Sequence, residues 1–281
     1  DPGEHRLALV IGNSAYQFSP LKNPANDAGA VAEKLSQLGF KVILGRNVTK
    51  DEMKRLIWKF GDSLKAEGVG LFFYAGHGIQ VGGLNYLIPL GARIKSERDV
   101  ELEAVDIRYV LSETDRAKTK LNIVMLDACR DNPFARSFRS GHQGLATMNA
   151  PKGTIITYAT APNQTAADGH GSNSPFTTAL IDNLDRPGLD IWQIFNRIGL
   201  GVTKETAGTQ RPWISSNYYG RFFFNPAKAQ AAQNTDQPEQ AQPEPDTNQV
   251  KVNRLQKAAE ADLRANRLTT PAGLNALEKY K

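Results

Sequence analysis

The sequence has a single cysteine, so no disulfide bond can form within the chain. It also lacks an apolar run of the roughly 20 residues that a membrane-spanning helix needs, and we expect no membrane span. None of the four histidines stands at the spacing of a zinc site, so no metal and no cofactor are expected. These gaps exclude an internal disulfide, and we expect neither an integral membrane protein nor a zinc enzyme.

Charge of one sign is not concentrated in any segment. The net charge is +5, but Lys and Arg are scattered and form no stripe, which indicates solvated surface and no nucleic-acid partner. A lone thiol fits either the cytosol or an exported protein. The localisation is unknown. The start at Asp1 without Met and the Gln/Pro-rich segment slightly favour a periplasmic or secreted location over the cytoplasm.

Apolar runs typical of buried strands alternate with amphipathic helical segments over residues 6–224. The predicted strands are 6–12, 41–47, 69–75, 84–90, 121–128, 154–160 and 217–224. The predicted helices begin at Asn26 or Asp27, at Thr49, near residue 103, at Ser174-Pro175 and near residue 190. This alternation predicts an α/β fold with a mostly parallel central sheet and helices on both faces.

The composition divides the chain into three parts, the first being an α/β domain over residues 1–225. Residues 226–249 are dominated by Gln, Pro, Ala, Asp and Glu, and no aromatic residue, Leu, Ile or Val occurs there. Such a segment buries too little apolar surface to order itself, so we predict a disordered linker. Residues 250–281 regain a helical pattern and predict a short helical C-terminal segment, the candidate contact for a protein partner.

Two of the predicted strands end close to chemically capable side chains. His77 follows the run VGLFFYAG, and Cys129 follows LNIVMLDA. Open α/β folds present functional groups at this edge of the sheet, and an imidazole beside a thiol favours the nucleophilic thiolate. The backbone N–H groups of Gly78 and Cys129 are candidate donors to an oxyanion. The alternative is a buried structural cysteine and an incidental loop histidine.

The segments YAGHG and LDACRDNPF resemble the caspase-like cysteine peptidases, and most closely the paracaspase and metacaspase branches. The sequence resembles bacterial members of these branches. The resemblance covers about residues 6–224 and includes LALVIGNSAY, NPANDA and QRPWISSNYYG. It implies the caspase-like fold and a catalytic dyad of His77 and Cys129. Metacaspases commonly have Ser at the position of Ala75, which favours the paracaspase side.

The residues before the cysteine indicate which substrate is bound. Caspases carry Gln-Ala-Cys before a glycine, whereas this chain has Asp127-Ala128-Cys129. The resemblance implies that Asp127, Asp27 and Asp168 line the pocket for the substrate residue before the scissile bond (P1). Three carboxylates in one pocket repel each other unless a cation joins them, and a guanidinium suits that place. We therefore predict a cysteine endopeptidase that cleaves after Arg, and less often after Lys.

Several alternatives stay open. Asp27 is alternatively only a helix N-cap, and Asp127 a structural acid at a strand end. Arg136 and Arg139 follow the nucleophile and are candidate self-cleavage sites, or simply part of an exposed basic loop. Calcium activation, known in some metacaspases, leaves no readable signature in dispersed acids.

The competing function is a caspase-like scaffold that acts as a binding or adaptor protein with little or no turnover. The natural substrate and the oligomeric state are open, although the segment FFFN (222–225) is a candidate apolar edge for dimerisation.

Overall fold

The computed structural model describes residues 4–128, 144–162 and 164–226. Its elements, in chain order, are β1 (Arg6–Gly12), α1 (Pro24–Gln37), β2 (Lys41–Arg46), α2 (Lys50–Ser63), β3 (Val69–Ala75), β4 (Gly78–Val81), β5 (Leu84–Leu87), α3 (Glu97–Glu103), β6 (Val105–Asp106), α4 (Arg108–Ala117), β7 (Leu121–Asp127), β8 (Thr154–Tyr158), α5 (Pro175–Ile181), α6 (Ile191–Glu205) and β9 (Trp213–Ser216).

Six strands form the central sheet in the order β2-β1-β3-β7-β8-β9. The first five are parallel, and β9 runs antiparallel to β8 at the edge. Helix α5 contacts both α1 and α6, and α2 contacts α4 in a second group. The predicted α/β architecture with a mostly parallel sheet is confirmed. Strands β1, β3 and β7 are almost entirely buried, which explains their unbroken apolar runs.

A second, three-stranded antiparallel sheet is formed by β4, β5 and β6. Gly82 and Gly83 join β4 to β5 in a hairpin with φ angles of +59° and +78°, a conformation that favours glycine. The helix predicted near 103–113 is wrong in its bounds. Two helices flank β6 instead, because Val105 and Asp106 pair with β5 and interrupt the helical backbone.

Helix α1 begins earlier than predicted. Pro24 is its first residue and Asn23 occupies the N-cap position, since proline suits the first helical turn, where its missing N–H costs nothing. Asp27 therefore lies inside the first turn, and its N–H donates to the Asn23 carbonyl at 2.8 Å. The alternative of Asp27 as the N-cap is wrong. The predicted start at Ser174-Pro175 is confirmed, because the Thr177 N–H donates to Ser174 Oγ at 2.9 Å.

The strand predicted at 217–224 is wrong, and the strand lies at Trp213–Ser216. The guanidinium of Arg6 donates to the carbonyls of Phe223 and Phe224 at 3.0 and 2.9 Å. The backbone of this segment therefore bonds away from the sheet. Phe222 and Phe224 are buried in the core, so FFFN is not an exposed edge.

Residues 227–281 lie outside the described residues, so the linker and the helical C-terminal segment stay predictions. Within the described ranges, no helix is long and apolar enough to cross a membrane.

Candidate active site

His77 lies two residues beyond the end of β3 and is 3% exposed. Its ring Nε2 is 2.7 Å from the carbonyl oxygen of Ser19. Because a carbonyl oxygen only accepts hydrogen bonds, this contact places a proton on Nε2. In the neutral imidazole, Nδ1 therefore carries the lone pair and is the basic atom.

The backbone of His77 is bonded to two tyrosine hydroxyl groups. Its N–H donates to Tyr16 Oη at 3.1 Å, and its carbonyl accepts from Tyr74 Oη at 2.9 Å. Both hydroxyls also lie near the Ile88 carbonyl, at 3.0 Å for Tyr16 and 2.9 Å for Tyr74. The peptide groups on both sides of the imidazole are thus fixed by side chains.

Gly78 begins β4 and packs beside the residue that precedes Cys129. A side chain at Gly78 would meet Ala128 Cβ at 3.2 Å. The Ile88 N–H donates to the His77 carbonyl, so the next pair along the hairpin, Gly78 with Leu87, is of the non-hydrogen-bonded type. The Gly78 N–H therefore points away from β5.

Cys129, Arg136 and Arg139 lie outside the described residues. The sheet register nevertheless shows which residue of β3 lies beside Asp127, two residues before the cysteine. Ala75 at the end of β3 pairs with Asp127 at the end of β7. His77 and Cys129 each follow this pair by two residues in the sequence.

Asp27 and Asp127 are fully buried and are bridged by one residue, Ser174. Asp27 Oδ1 accepts from the Ser174 N–H at 3.0 Å and from Asn173 Nδ2 at 2.9 Å. Asp127 Oδ2 accepts from the Ser174 hydroxyl at short range and from Thr177 Oγ1 at 3.1 Å. The start of α5 therefore brings together two carboxylates that are 100 residues apart in the sequence.

Asp168 contacts the chain just before α1. Its Oδ2 accepts from the Lys22 N–H at 2.7 Å and its Oδ1 from the Asn23 N–H at 3.3 Å. The Lys22 ammonium donates to the His170 carbonyl at 2.8 Å. These bonds tie the 168–170 segment to the loop between β1 and α1, which also carries Ser19.

Sequence reasoning did not identify four residues that shape this site: Tyr16, Ser19, Tyr74 and Ser174. Tyr74 lies inside the YAGHG motif, and Ser174 was recognised only as a helix cap. The remaining two have no local signal, because their bonds to His77 span about 60 residues. In the part of the chain that is described, no group of three or more His, Cys, Asp or Glu could hold a metal ion.

Comparison with known proteins places the chain. The sequence model of the caspase domain family matches residues 5–223. The human mucosa-associated lymphoid tissue lymphoma translocation protein 1 is 33% identical over 128 residues, which are 44% of this chain and 15% of that protein. Caspase-4 of Bos taurus is 22% identical over 248 residues, covering 78% of this chain and 63% of that protein.

A solved structure agrees on the fold. The crystal structure of caspase-1 from Spodoptera frugiperda superposes with a TM-score of 0.58 and 17% sequence identity, covering 79% of this chain and 92% of that one. The matched segment is 15% of the length of the human relative. The family match covers most of the chain, and the chain therefore belongs to the caspase domain family of cysteine peptidases.

Proposed function

We propose that this chain is a cysteine endopeptidase that cleaves peptide bonds after basic residues, with Arg preferred over Lys. The observation that carries the proposal is the pair of fully buried carboxylates, Asp27 and Asp127, bridged by Ser174 at the sheet edge that leads to His77. Two carboxylates that bond to the same serine repel each other, and a substrate cation bound beside them would relieve that repulsion.

Arginine fits this pair better than lysine. A guanidinium has five N–H donors in a planar fork, so it can bond two carboxylates at once, whereas an ammonium is a single point of charge. An aspartate side chain, as in caspase substrates, would add a third negative charge. The family resemblance implies that Asp168 also lines the pocket, whereas its bonds to the Lys22 and Asn23 N–H groups favour a role in holding the loop that carries Ser19, and the two roles are tested separately.

The chemistry follows from the strand ends. His77 Nδ1 takes the proton of the Cys129 thiol, and the thiolate attacks the carbonyl carbon of the scissile bond. The N–H groups of Gly78 and Cys129 bond to the resulting oxyanion. The protonated Nδ1 then donates its proton to the leaving amine, which leaves a thioester on Cys129. Water, deprotonated by Nδ1, attacks the thioester, releases the acid product and returns the proton to the thiol.

The test is a panel of fluorogenic peptides that end in Arg, Lys, Asp or Asn, assayed with the wild type and Cys129→Ala. We expect cleavage of the Arg peptide, weaker cleavage of the Lys peptide and no turnover by the alanine variant. Cleavage of the Asp peptide alone would contradict the pocket assignment, and full activity of Cys129→Ala would contradict the nucleophile.

A binding role is tested by the same proteins. If the wild type cleaves none of the peptides and an arginine-directed, thiol-reactive peptide leaves Cys129 unmodified, the chain is a scaffold and the endopeptidase proposal is wrong.

The same specificity would allow the enzyme to cut itself. Arg136 and Arg139 follow the nucleophile in sequence and would be cleaved in the wild type but not in Cys129→Ala. Mass spectrometry of the two proteins after equal incubation would reveal the fragments, and fragments in both proteins would indicate a contaminating protease.

A further inference from the structure

We propose that Tyr16 and Tyr74 are positioning residues for His77, acting through their hydroxyl groups on the peptide bonds that flank the imidazole. The inference rests on the proposed function, because it concerns the group that moves protons there. Neither tyrosine needs to touch the substrate. Their role is to fix the backbone of His77 in the turn that follows the end of β3.

The donor and acceptor pattern assigns each hydroxyl one role. Tyr16 Oη accepts the His77 N–H at 3.1 Å, so its own proton is free to go to the Ile88 carbonyl at 3.0 Å. Tyr74 Oη lies 2.9 Å from both the His77 and the Ile88 carbonyls, and its single proton is shared between these two acceptors. The two hydroxyl oxygens are 3.2 Å apart. The network therefore bonds both the N–H and the C=O of His77.

The chain turns sharply where these bonds occur. Gly76 has a φ of +153°, and a side chain there would lie 2.6 Å from Tyr16 Oη and 2.7 Å from Tyr74 Oη. The hydroxyls thus fill the space that the missing side chain leaves. The turn separates β3 from β4, and the described backbone bond at His77 runs from the Ile88 N–H to the His77 carbonyl.

The imidazole ring is held by the same loop. The rings of Tyr16 and His77 are 4.6 Å apart between centroids and tilted by 56°. The carbonyl of Ser19, three residues after Tyr16, accepts a hydrogen bond from Nε2 of the same ring. Backbone and ring are therefore fixed together, and Nδ1 is aimed in one direction. Misplacing a catalytic group by about 1 Å can cost about a hundredfold in rate.

The sequence of β3 indicates that the Tyr74 hydroxyl, and not only its ring, is needed to position His77. Phe72, Phe73 and Tyr74 are consecutive and all buried, and a phenylalanine would fill the same space at each position. Burying a hydroxyl is unfavourable unless it is hydrogen-bonded. Only the residue nearest to His77 carries one, and the described partners of that hydroxyl lie around His77.

The test removes each hydroxyl and keeps each ring. Tyr16→Phe and Tyr74→Phe are compared with the wild type and with Tyr109→Phe, a half-exposed tyrosine on α4. Active enzyme is counted by labelling the only cysteine with the arginine-directed, thiol-reactive peptide, which needs an assembled site to react. We expect kcat per labelled thiol to fall about tenfold or more in both variants, with KM within about twofold and a displaced acid limb of the pH profile. Tyr109→Phe should match the wild type.

Tyr74 is fully buried, so Tyr16→Phe keeps the test valid if Tyr74→Phe does not fold. A purely structural role would lower the melting temperature and leave kcat per labelled thiol unchanged. The inference is overturned if kcat per labelled thiol of Tyr16→Phe stays within about twofold of the wild type.

A second readout does not depend on turnover. With only four histidines, the imidazole nitrogens of His77 can be assigned by ¹⁵N NMR against His77→Ala. We expect the wild type to show the Nε2–H tautomer and both phenylalanine variants to show a mixed population. Unchanged tautomers in both variants would overturn the inference. If the wild type cleaves no peptide at all, the proposed function fails, and this readout still decides the positioning role.

Discussion

The two halves of the candidate site are held by different kinds of bond. Around His77 the described partners are neutral groups: two tyrosine hydroxyls, the Ser19 carbonyl and the Ile88 N–H. Around Asp27 and Asp127 the bonds end on buried carboxylates. A neutral network is nearly blind to the charge of a substrate, whereas buried charges respond strongly to it. Changes in the histidine half should therefore affect every substrate, and changes in the acidic half should affect only some.

The largest effect is expected from His77→Ala. Without the imidazole there is no base for the thiol and no acid for the leaving amine, so kcat/KM should fall by about 10³-fold or more. The loss should be equal for Arg and Lys peptides, as measured by initial rates. His170→Ala, in an exposed loop, is the matched control. A loss that depends on the P1 residue would break the proposed division between the halves.

Asp127→Asn tests the acidic half with a change of charge at nearly constant shape. An uncompensated change in a buried charge pair costs about 2–5 kcal/mol, so kcat/KM for the Arg peptide should fall by about 30-fold or more. A peptide with neutral citrulline at P1 should change little. The exposed Asp115→Asn on α4 controls for net charge. Equal losses for arginine and citrulline peptides would show that Asp127 does not recognise the cation.

Ser174→Ala removes the hydroxyl that joins α5 to Asp127. We expect a loss of about tenfold in kcat/KM for the Arg peptide, and a free energy of unfolding lower by about 1–3 kcal/mol because a buried carboxylate loses a donor. Ser96→Ala at the start of α3 loses a helix cap without touching the acids. If the two variants have the same Arg preference as the wild type, the serine serves the fold alone.

Asp168→Ala decides to which half this residue belongs. Its carboxylate accepts the Lys22 and Asn23 N–H groups, three residues from the Ser19 carbonyl that bonds His77. We expect a loss of about tenfold or less that is shared by Arg, Lys and citrulline peptides. A loss confined to the Arg and Lys peptides would instead place Asp168 in the P1 pocket.

The smallest effect is expected at Glu52, on α2, which bonds to neither half. Its pKa is held below the ordinary value by the backbone N–H and hydroxyl of Thr49. A carboxyl with a lowered pKa stabilises the fold above its ordinary pKa, and this contribution is lost as the pH falls through the lowered value. Glu52→Gln should lower the melting temperature by about one or two degrees near neutral pH and not in strong acid.

Peptide cleavage by Glu52→Gln should be unchanged, which gives the baseline for the comparison. A melting curve with the same difference at both pH values would mean that the glutamine acts through packing and not through charge.

Much of the frame was predictable because burial leaves local patterns. The runs that became β3 and β7 end two residues before His77 and Cys129. Their pairing as neighbours was not predictable, because the alternation of strands and helices does not give the strand order. Ser174-Pro175 predicted the start of α5. What no pattern contained was the partner of Ser174, because Asp127 is 47 residues away and Asp27 is 147 residues away.

The last strand of the domain was not predictable from local sequence patterns. Trp213–Ser216 and residues 217–224 are both short and rich in aromatic or β-branched residues, and the sequence favours the wrong one. The second segment bonds elsewhere, because the Arg6 guanidinium donates to the Phe223 and Phe224 carbonyls across 217 and 218 residues. The sequence by itself determined the buried strands and the two catalytic candidates, since these follow from apolar runs. Only the tertiary structure decided what holds His77 and the acids, because hydrogen bonds between distant residues leave no periodic signal.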